Sequence, residues 1–212
     1  VTVINVIRQS TGVHTLSDAI AYAPDGRELQ GPKLFALPHL PAIIGVRGPM
    51  LAAPLLAEML GRVVGSYDEL RSSIAEVVQT YMPQIVRMLQ GNQEPETFDI
   101  VVGGISRFAG PDSFVMSTHD RYGKAWIIQD HGDLVLSPLN DEIEQAITSE
   151  FRGRGIDDLD PVVDGVRMIE IQRENWSFGD ATLPGGFIQL MSITGGSITT
   201  RIVHRWPAPA AP

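Results

Sequence analysis

The sequence begins Val1-Thr2-Val3-Ile4-Asn5-Val6-Ile7 and runs on through Gly12-Val13-His14-Thr15-Leu16-Ser17-Asp18, Lys33-Leu34-Phe35 and Ile43-Ile44-Gly45-Val46-Arg47-Gly48. The reading of these runs decides the fold. Thr2–Arg8 alternates and is rich in β-branched residues, which predicts a strand. His14–Tyr22 reads as its partner, with Ser10-Thr11-Gly12 as the turn between them. Ala23-Pro24-Asp25-Gly26 is a turn signal, and the loop is expected to continue to Gly31-Pro32. Lys33–Leu37 and Ala42–Arg47 are predicted to be short strands on either side of Pro38-His39-Leu40-Pro41.

Helical spacing then takes over. Pro49 suits a first helical position, whereas Pro54 would break a helix already under way. Ser66-Tyr67-Asp68-Glu69 is a capping box. After it, Leu70, Ile74, Val77, Val78, Tyr81, Ile85 and Leu89 share one helical face. Pro83 is expected to kink this helix and Gly91-Asn92 to end it. Strand character returns at Phe98–Ile105, Ser113–Thr118, Ala125–Gln129 and Asp133–Leu136. Asn140 caps a predicted helix through Phe151, and Asp160-Pro161 starts another. Phe187–Ile193 and Ser197–Trp206 read as a hairpin around Gly195-Gly196. Grouped strands and grouped helices argue against a βαβ parallel sheet. The expectation is an α+β protein: two face-to-face antiparallel sheets with a helix pair outside each, a four-layer αββα sandwich. Residues 1–206 would form one domain, and 207–212, rich in Pro and Ala, a disordered tail.

The chain has 212 residues, enough for a sizeable core, with 43% hydrophobic and 19% charged residues. Lys and Arg number 16 against 25 Asp and Glu, giving a formal charge of −9, which disfavours nucleic acid or an anionic membrane as partner. Cysteine is absent, which excludes disulfides, thiolate catalysis and Cys-based zinc sites and fits a cytoplasmic protein. No signal peptide is legible at the start, and the apolar stretch near Met50–Leu60 is too short to span a bilayer. His119-Asp120 and Asp130-His131 flank a predicted hairpin, but too few spaced ligands accompany them to specify a metal, so neither a metal nor an organic cofactor is expected.

A threonine hydroxyl is a poor nucleophile without a base. When Thr heads the mature chain, its own α-amine, with an ordinary pKa of roughly 7.7–8.0, serves as one. A nearby lysine ammonium shifts that amine toward its neutral form. A strand-to-helix junction such as Gly48-Pro49 offers a backbone N–H where negative charge develops. The order Thr2, Asp18, Lys33, Gly48 resembles the catalytic half of the proteasome β-type subunits, a family of N-terminal-nucleophile hydrolases. Farther on, Arg173-Glu174-Asn175-Trp176-Ser177-Phe178-Gly179 resembles the family's Arg-Asp, Ser, Gly run, with Glu174 replacing its Asp. Ser137, in Leu136-Ser137-Pro138-Leu139-Asn140, is a weaker match to a further family Ser. The family's Arg soon after its Asp is absent, since Ala19-Ile20 stands there.

The resemblance spans residues 2 to about 205. It implies the αββα fold and a threonine peptidase or amidase with Thr2 as nucleophile and its freed amine as base. Asp18 and Lys33 would set the electrostatics, Gly48 N–H would form the oxyanion hole, and Glu174, Ser177 and Ser137 would position the amine. It also implies a peptide or other amide substrate and a homo-oligomeric ring, while a regulatory ATPase partner is not legible. Read without the resemblance, Thr2 is an ordinary strand residue, Asp18 ends a strand, Lys33 is a solvated strand end and Ser177 is a helix cap. Val1 must be absent from the mature chain for the amine to be free, as after a GTG initiator codon. If Val1 is retained, the alternative is a catalytically silent ring-forming or scaffold subunit. An acyl-transfer enzyme with the same nucleophile is a further alternative.

Overall fold

The computed structural model describes residues 2–22, 27–90, 95–121, 123–176 and 184–207. The first strands are β1 (Ile4–Gln9), β2 (Gly12–Asp18), β3 (Ile20–Tyr22), β4 (Glu28–Gln30), β5 (Leu34–Leu37) and β6 (Ala42–Arg47). Helices α1 (Ala52–Val63) and α2 (Tyr67–Met88) follow, then β7 (Asp99–Ser106), β8 (Gly110–Ser117), β9 (Ile128–Gln129) and β10 (Leu134–Ser137). The chain continues through α3 (Asp141–Glu150), a 3-10 turn at Ile156–Asp158, α4 (Val163–Glu174), β11 (Phe187–Thr194) and β12 (Ser197–Arg205). Every strand pairing is antiparallel among the described residues. One five-stranded sheet has the order β10-β1-β2-β11-β12, a second has β5-β6-β7-β8-β9, and β3-β4 form a small ribbon.

The two-residue period of β1 explains how the layers meet. Ile4 and Val6 pack with Val13, Leu34, Ile43 and Val101, joining the two large sheets. Val3 and Ile7, pointing the other way, pack with Ile143, Ile147, Met168 and Ile169 from α3 and α4. On the second sheet, Ile44, Val102 and Phe114 pack against Leu56, Leu60, Leu70, Ile74 and Val78 of α1 and α2. Full burial of each such side chain contributes about 1.5–3 kcal/mol. Gly103 lets the sheets approach closely, because a Cβ there would stand 2.6 Å from Val13 Cγ1.

Local departures from the sequence reading have local causes. Pro54 falls in the first turn of α1, where its missing N–H forfeits no helical bond. Ser66 Oγ accepts from Glu69 N–H as expected of a cap, but the Glu69 carboxylate reaches Gly65 N–H, one residue beyond a capping box. α2 continues through Pro83 to Met88, with Ile85 and Leu89 buried beyond the proline. Ala19 divides the long second strand: its N–H donates to Gly185 O and its O accepts from Gly31 N–H. The following strand then pairs with β4, whose three residues, with exposed Glu28 and Gln30 on either side of Leu29, are too short a run to read as a strand. The Ala23–Gly26 turn, Gly91-Asn92, Ser177 and residues 208–212 of the expected tail lie outside the described residues. No described helix is long and apolar enough to cross a membrane.

Candidate active site

Antiparallel register gathers one end of each sheet. Ile4 at the start of β1 faces Ser17 near the end of β2 and Ser137 at the end of β10, while Asp18 faces Ile188 at the start of β11. In the second sheet Leu34 pairs with Gly45, so Lys33, just before β5, and Gly48, just after β6, share an end. Thr2, Asp18, Lys33, Gly48 and Ser137 therefore belong to one region, although 135 positions separate Thr2 from Ser137 in sequence.

Asp18 and Lys33 stitch the sheets together. Lys33 Nζ donates to Asp18 Oδ1 at 2.7 Å, with side chains 7% and 0% exposed. The same oxygen accepts Val3 N–H at 2.9 Å, and Oδ2 accepts Ile20 N–H at 3.3 Å. Val3 is the residue after Thr2, so the peptide unit linking Thr2 to Val3 hangs directly on the carboxylate. Burial pushes the Lys33 ammonium below the ordinary lysine range, and Asp18 opposes that shift by charge and hydrogen bond. Thr2 itself is half-buried.

Backbone shape selects Gly48. Its φ is +150°, and a Cβ there would stand 2.6 Å from Phe98 Cβ and 3.0 Å from Thr97 O. Glycine alone fits this junction between β6 and α1 without strain. Its neighbour Arg47 crosses between sheets, donating from Nη1 to Ser137 Oγ at 2.7 Å and lying 3.5 Å from Asp99 Oδ2. Asp99 in turn accepts from Ser117 Oγ at 2.6 Å, and His119 Nε2 lies 3.3 Å from its Oδ1.

Several supports of this region are absent from the sequence reading. Gln189 Oε1 accepts Lys33 and Leu34 N–H at 3.3 and 3.2 Å, while its Nε2 donates to Leu34 O, so β11 of one sheet holds the start of β5 in the other. Asn5 Nδ2 donates to Gln172 Oε1 at 2.6 Å. Gln172 Nε2 donates back to Asn5 Oδ1 and to Pro138 O, and Asn5 Oδ1 also accepts Ser137 N–H. A polar residue on an apolar strand, as Asn5 and Gln189 are, was the one available signal.

Glu174 is placed differently from the other expected residues. Its carboxylate is 58% exposed and accepts from Arg167 at 3.1 Å, outside the hydrogen-bonded set around Asp18. Ser177 lies outside the described residues. Of the acidic and histidine pairs near β9, Asp120 Oδ1 accepts Ala125 N–H and Asp130 pairs with Arg71. Among the described residues no group of three or more His, Cys, Asp or Glu is arranged to hold a metal ion.

No family model and no curated protein matches this chain. Solved structures do. The chain is similar to Anbu (ancestral beta-subunit) from Yersinia bercovieri, with a TM-score of 0.67 and 13% identity over 95% of this chain and 87% of that one. At that identity the likeness is one of fold, and the fold is proteasome-like.

Proposed function

We propose that this chain is a proteasome-like N-terminal threonine hydrolase of peptide or other amide bonds, built as one αββα domain over residues 1–206. The observation that carries the reading is the buried Lys33–Asp18 pair whose carboxylate also holds Val3 N–H, beside Thr2. The three apolar clusters, one between the sheets and one under each helix pair, support the four-layer arrangement.

In the proposed reaction Thr2 heads the mature chain and its amine is free. The amine takes the proton from Thr2 Oγ as the oxygen attacks the substrate carbonyl carbon. The tetrahedral oxyanion is held by Gly48 N–H. On collapse the C–N bond breaks, the leaving amine takes the proton back from the Thr2 ammonium, and an acyl ester remains on Oγ. Water, giving its proton to the same amine, attacks that ester; the acyl C–Oγ bond breaks, Oγ takes the proton back from the ammonium, and the acid is released. Lys33, kept charged by Asp18 against the cost of burial, biases the amine toward its neutral form. Ser137, fixed by Arg47 and Asn5, orients the amine. Glu174, bonded to Arg167, carries no step here. We further propose a cytoplasmic protein assembled as a closed homo-oligomeric ring, in which symmetry covers apolar surface without a growing edge.

A second reading holds if any residue precedes Thr2 in the mature protein: Thr2 nitrogen is then an amide and the chain is a silent scaffold on the same fold. Intact mass of protein expressed from its natural start separates the two: a mature chain beginning at Thr2 is expected, and any residue retained before Thr2 would sink the hydrolase. Thr2→Ala is expected to abolish hydrolysis of a fluorogenic peptide while moving stability by no more than about 0.5 kcal/mol. Light scattering at micromolar concentration tests the ring, and a stable monomer of 23.1 kDa would reject it.

A further inference from the structure

A second polar constellation lies on the same sheet, toward the other end of β2. His14 and Ser192 are register partners on β2 and β11, each only 7% exposed, with His14 Nδ1 2.9 Å from Ser192 Oγ. They floor an open pocket of ≈ 640 Å³ between the β11–β12 hairpin and the segment from Asp158 to Val162. The hairpin wall supplies Thr194, Thr199 and the Arg201 guanidinium, and the opposite wall supplies Asp158 and Asp160.

Arg201 forms no ion pair among the described residues. Asp158 uses Oδ2 to accept Gly155 N–H, and Asp160 uses Oδ1 to accept Val162 and Val163 N–H. The second oxygen of each carboxylate makes no hydrogen bond to a described residue. Arg154, outside the pocket lining, donates to both Asp164 oxygens and to Asp158 O, and its charge also acts on Asp158 and Asp160. His14 feels both walls: burial and then Arg201 lower its pKa, and Asp160 raises it. Arg201 and the acidic pair Asp158 and Asp160 line one pocket, a combination complementary to a ligand that carries both charges. A simple anion would meet Asp158 and Asp160 unfavourably, and a simple amine would meet Arg201 unfavourably.

We propose that this pocket binds a small zwitterion of the α-amino acid or short-peptide type, its carboxylate on Arg201 and its ammonium on Asp158 and Asp160. The Ser192 hydroxyl on the floor and the Thr194 and Thr199 hydroxyls on the hairpin wall complete the polar lining. The inference stands on residues apart from Thr2 and does not depend on the proposed hydrolysis.

Isothermal titration of the full chain with L-leucine, L-glutamate and alanylalanine, against isovalerate and isobutylamine as single-charge controls, tests it. At least one zwitterion is expected to bind one per chain, about tenfold or more tighter than either control, since hydrogen bonds to charged groups are worth roughly 1.5–3 kcal/mol. Arg201→Gln and Asp160→Asn should each weaken that binding about tenfold or more with unchanged melting, the asparagine keeping an oxygen for the α4 start. Absence of binding by all three zwitterions at millimolar concentration overturns the proposal. So does isovalerate binding as tightly as leucine, or a zwitterion affinity indifferent to Arg201→Gln.

Discussion

Lys33 Nζ lies 2.7 Å from Asp18 Oδ1, an ion pair shielded from water that ties the residue before β5 in one sheet to the last residue of β2 in the other. Desolvating two charges costs several kcal/mol for each ion, so the pair persists through its geometry and added hydrogen bonds. Asp18 accepts from Lys33, Val3 and Ile20, which supplies those bonds. The arrangement joins the stability of the sheet interface to the chemistry proposed for Thr2.

Asp18→Asn leaves the Lys33 ammonium buried without its counter-charge. Urea unfolding is expected to show a loss of about 3–5 kcal/mol. Adding Lys33→Met should recover most of it, because an apolar replacement of similar length removes the stranded charge. A double variant no more stable than Asp18→Asn would show that the pair is not the source of the loss.

The lowered Lys33 pKa sets a pH dependence. Above the depressed folded value and below the unfolded lysine value of about 10.4, the unfolded chain binds the proton and the native chain does not, so stability rises with pH across that window. Tyr67, whose pKa burial and then Asp112 push upward, acts in the opposite sense at alkaline pH. The comparison is therefore wild type against Lys33→Met. Their difference in unfolding free energy is expected to move in favour of wild type as pH climbs from neutral toward that upper limit. A flat difference would contradict the shift.

Gly48→Ala places a methyl group against Phe98 Cβ and Thr97 O at a φ of +150°. Backbone strain and overpacking each cost about 1–3 kcal/mol, and the β6–α1 junction must shift to relieve them. Thermal melting should fall, and peptide hydrolysis should fall further than in a variant equally destabilised elsewhere, such as Leu56→Val. Equal losses in the two would remove Gly48 from the oxyanion role.

Gln172→Leu leaves the Asn5 amide and Pro138 O without their shared partner inside the protein. A loss of about 1–3 kcal/mol is expected. Asn5→Leu combined with Gln172→Leu should be less destabilised than the sum of the single changes, because both unpaired amides are then gone. Strict additivity in urea unfolding would mean the two side chains act separately.

The element types and most of their edges were legible from local rules. Alternation in β1 and β6, the Asn140 cap and the helical spacing of Leu70, Ile74, Val78 and Ile85 are short-range consequences of backbone geometry. Pro54 and the β3–β4 ribbon depart from the local pattern because position within a helix and backbone pairing with a distant segment leave little trace in side-chain pattern. Within the candidate site, Thr2, Asp18, Lys33, Gly48 and Ser137 were singled out through a resemblance of order, not through any motif strong enough alone.

By itself, the sequence determined which segments are amphipathic, where Gly and Pro interrupt them, and that cysteine chemistry is excluded, since these depend on residue identity and short spacing. Tertiary structure alone decided that Asp18 meets Lys33 without solvent between, that Arg47 holds Ser137, and that Gln189 and Gln172 brace strands more than 150 positions away. It also decided that Glu174 turns to Arg167 and that His14 shares a pocket with Arg201 and Asp160. The physical reason is that sheet order and register set which distant side chains share a buried volume, and a side chain's charge, exposure and partners follow from that neighbourhood.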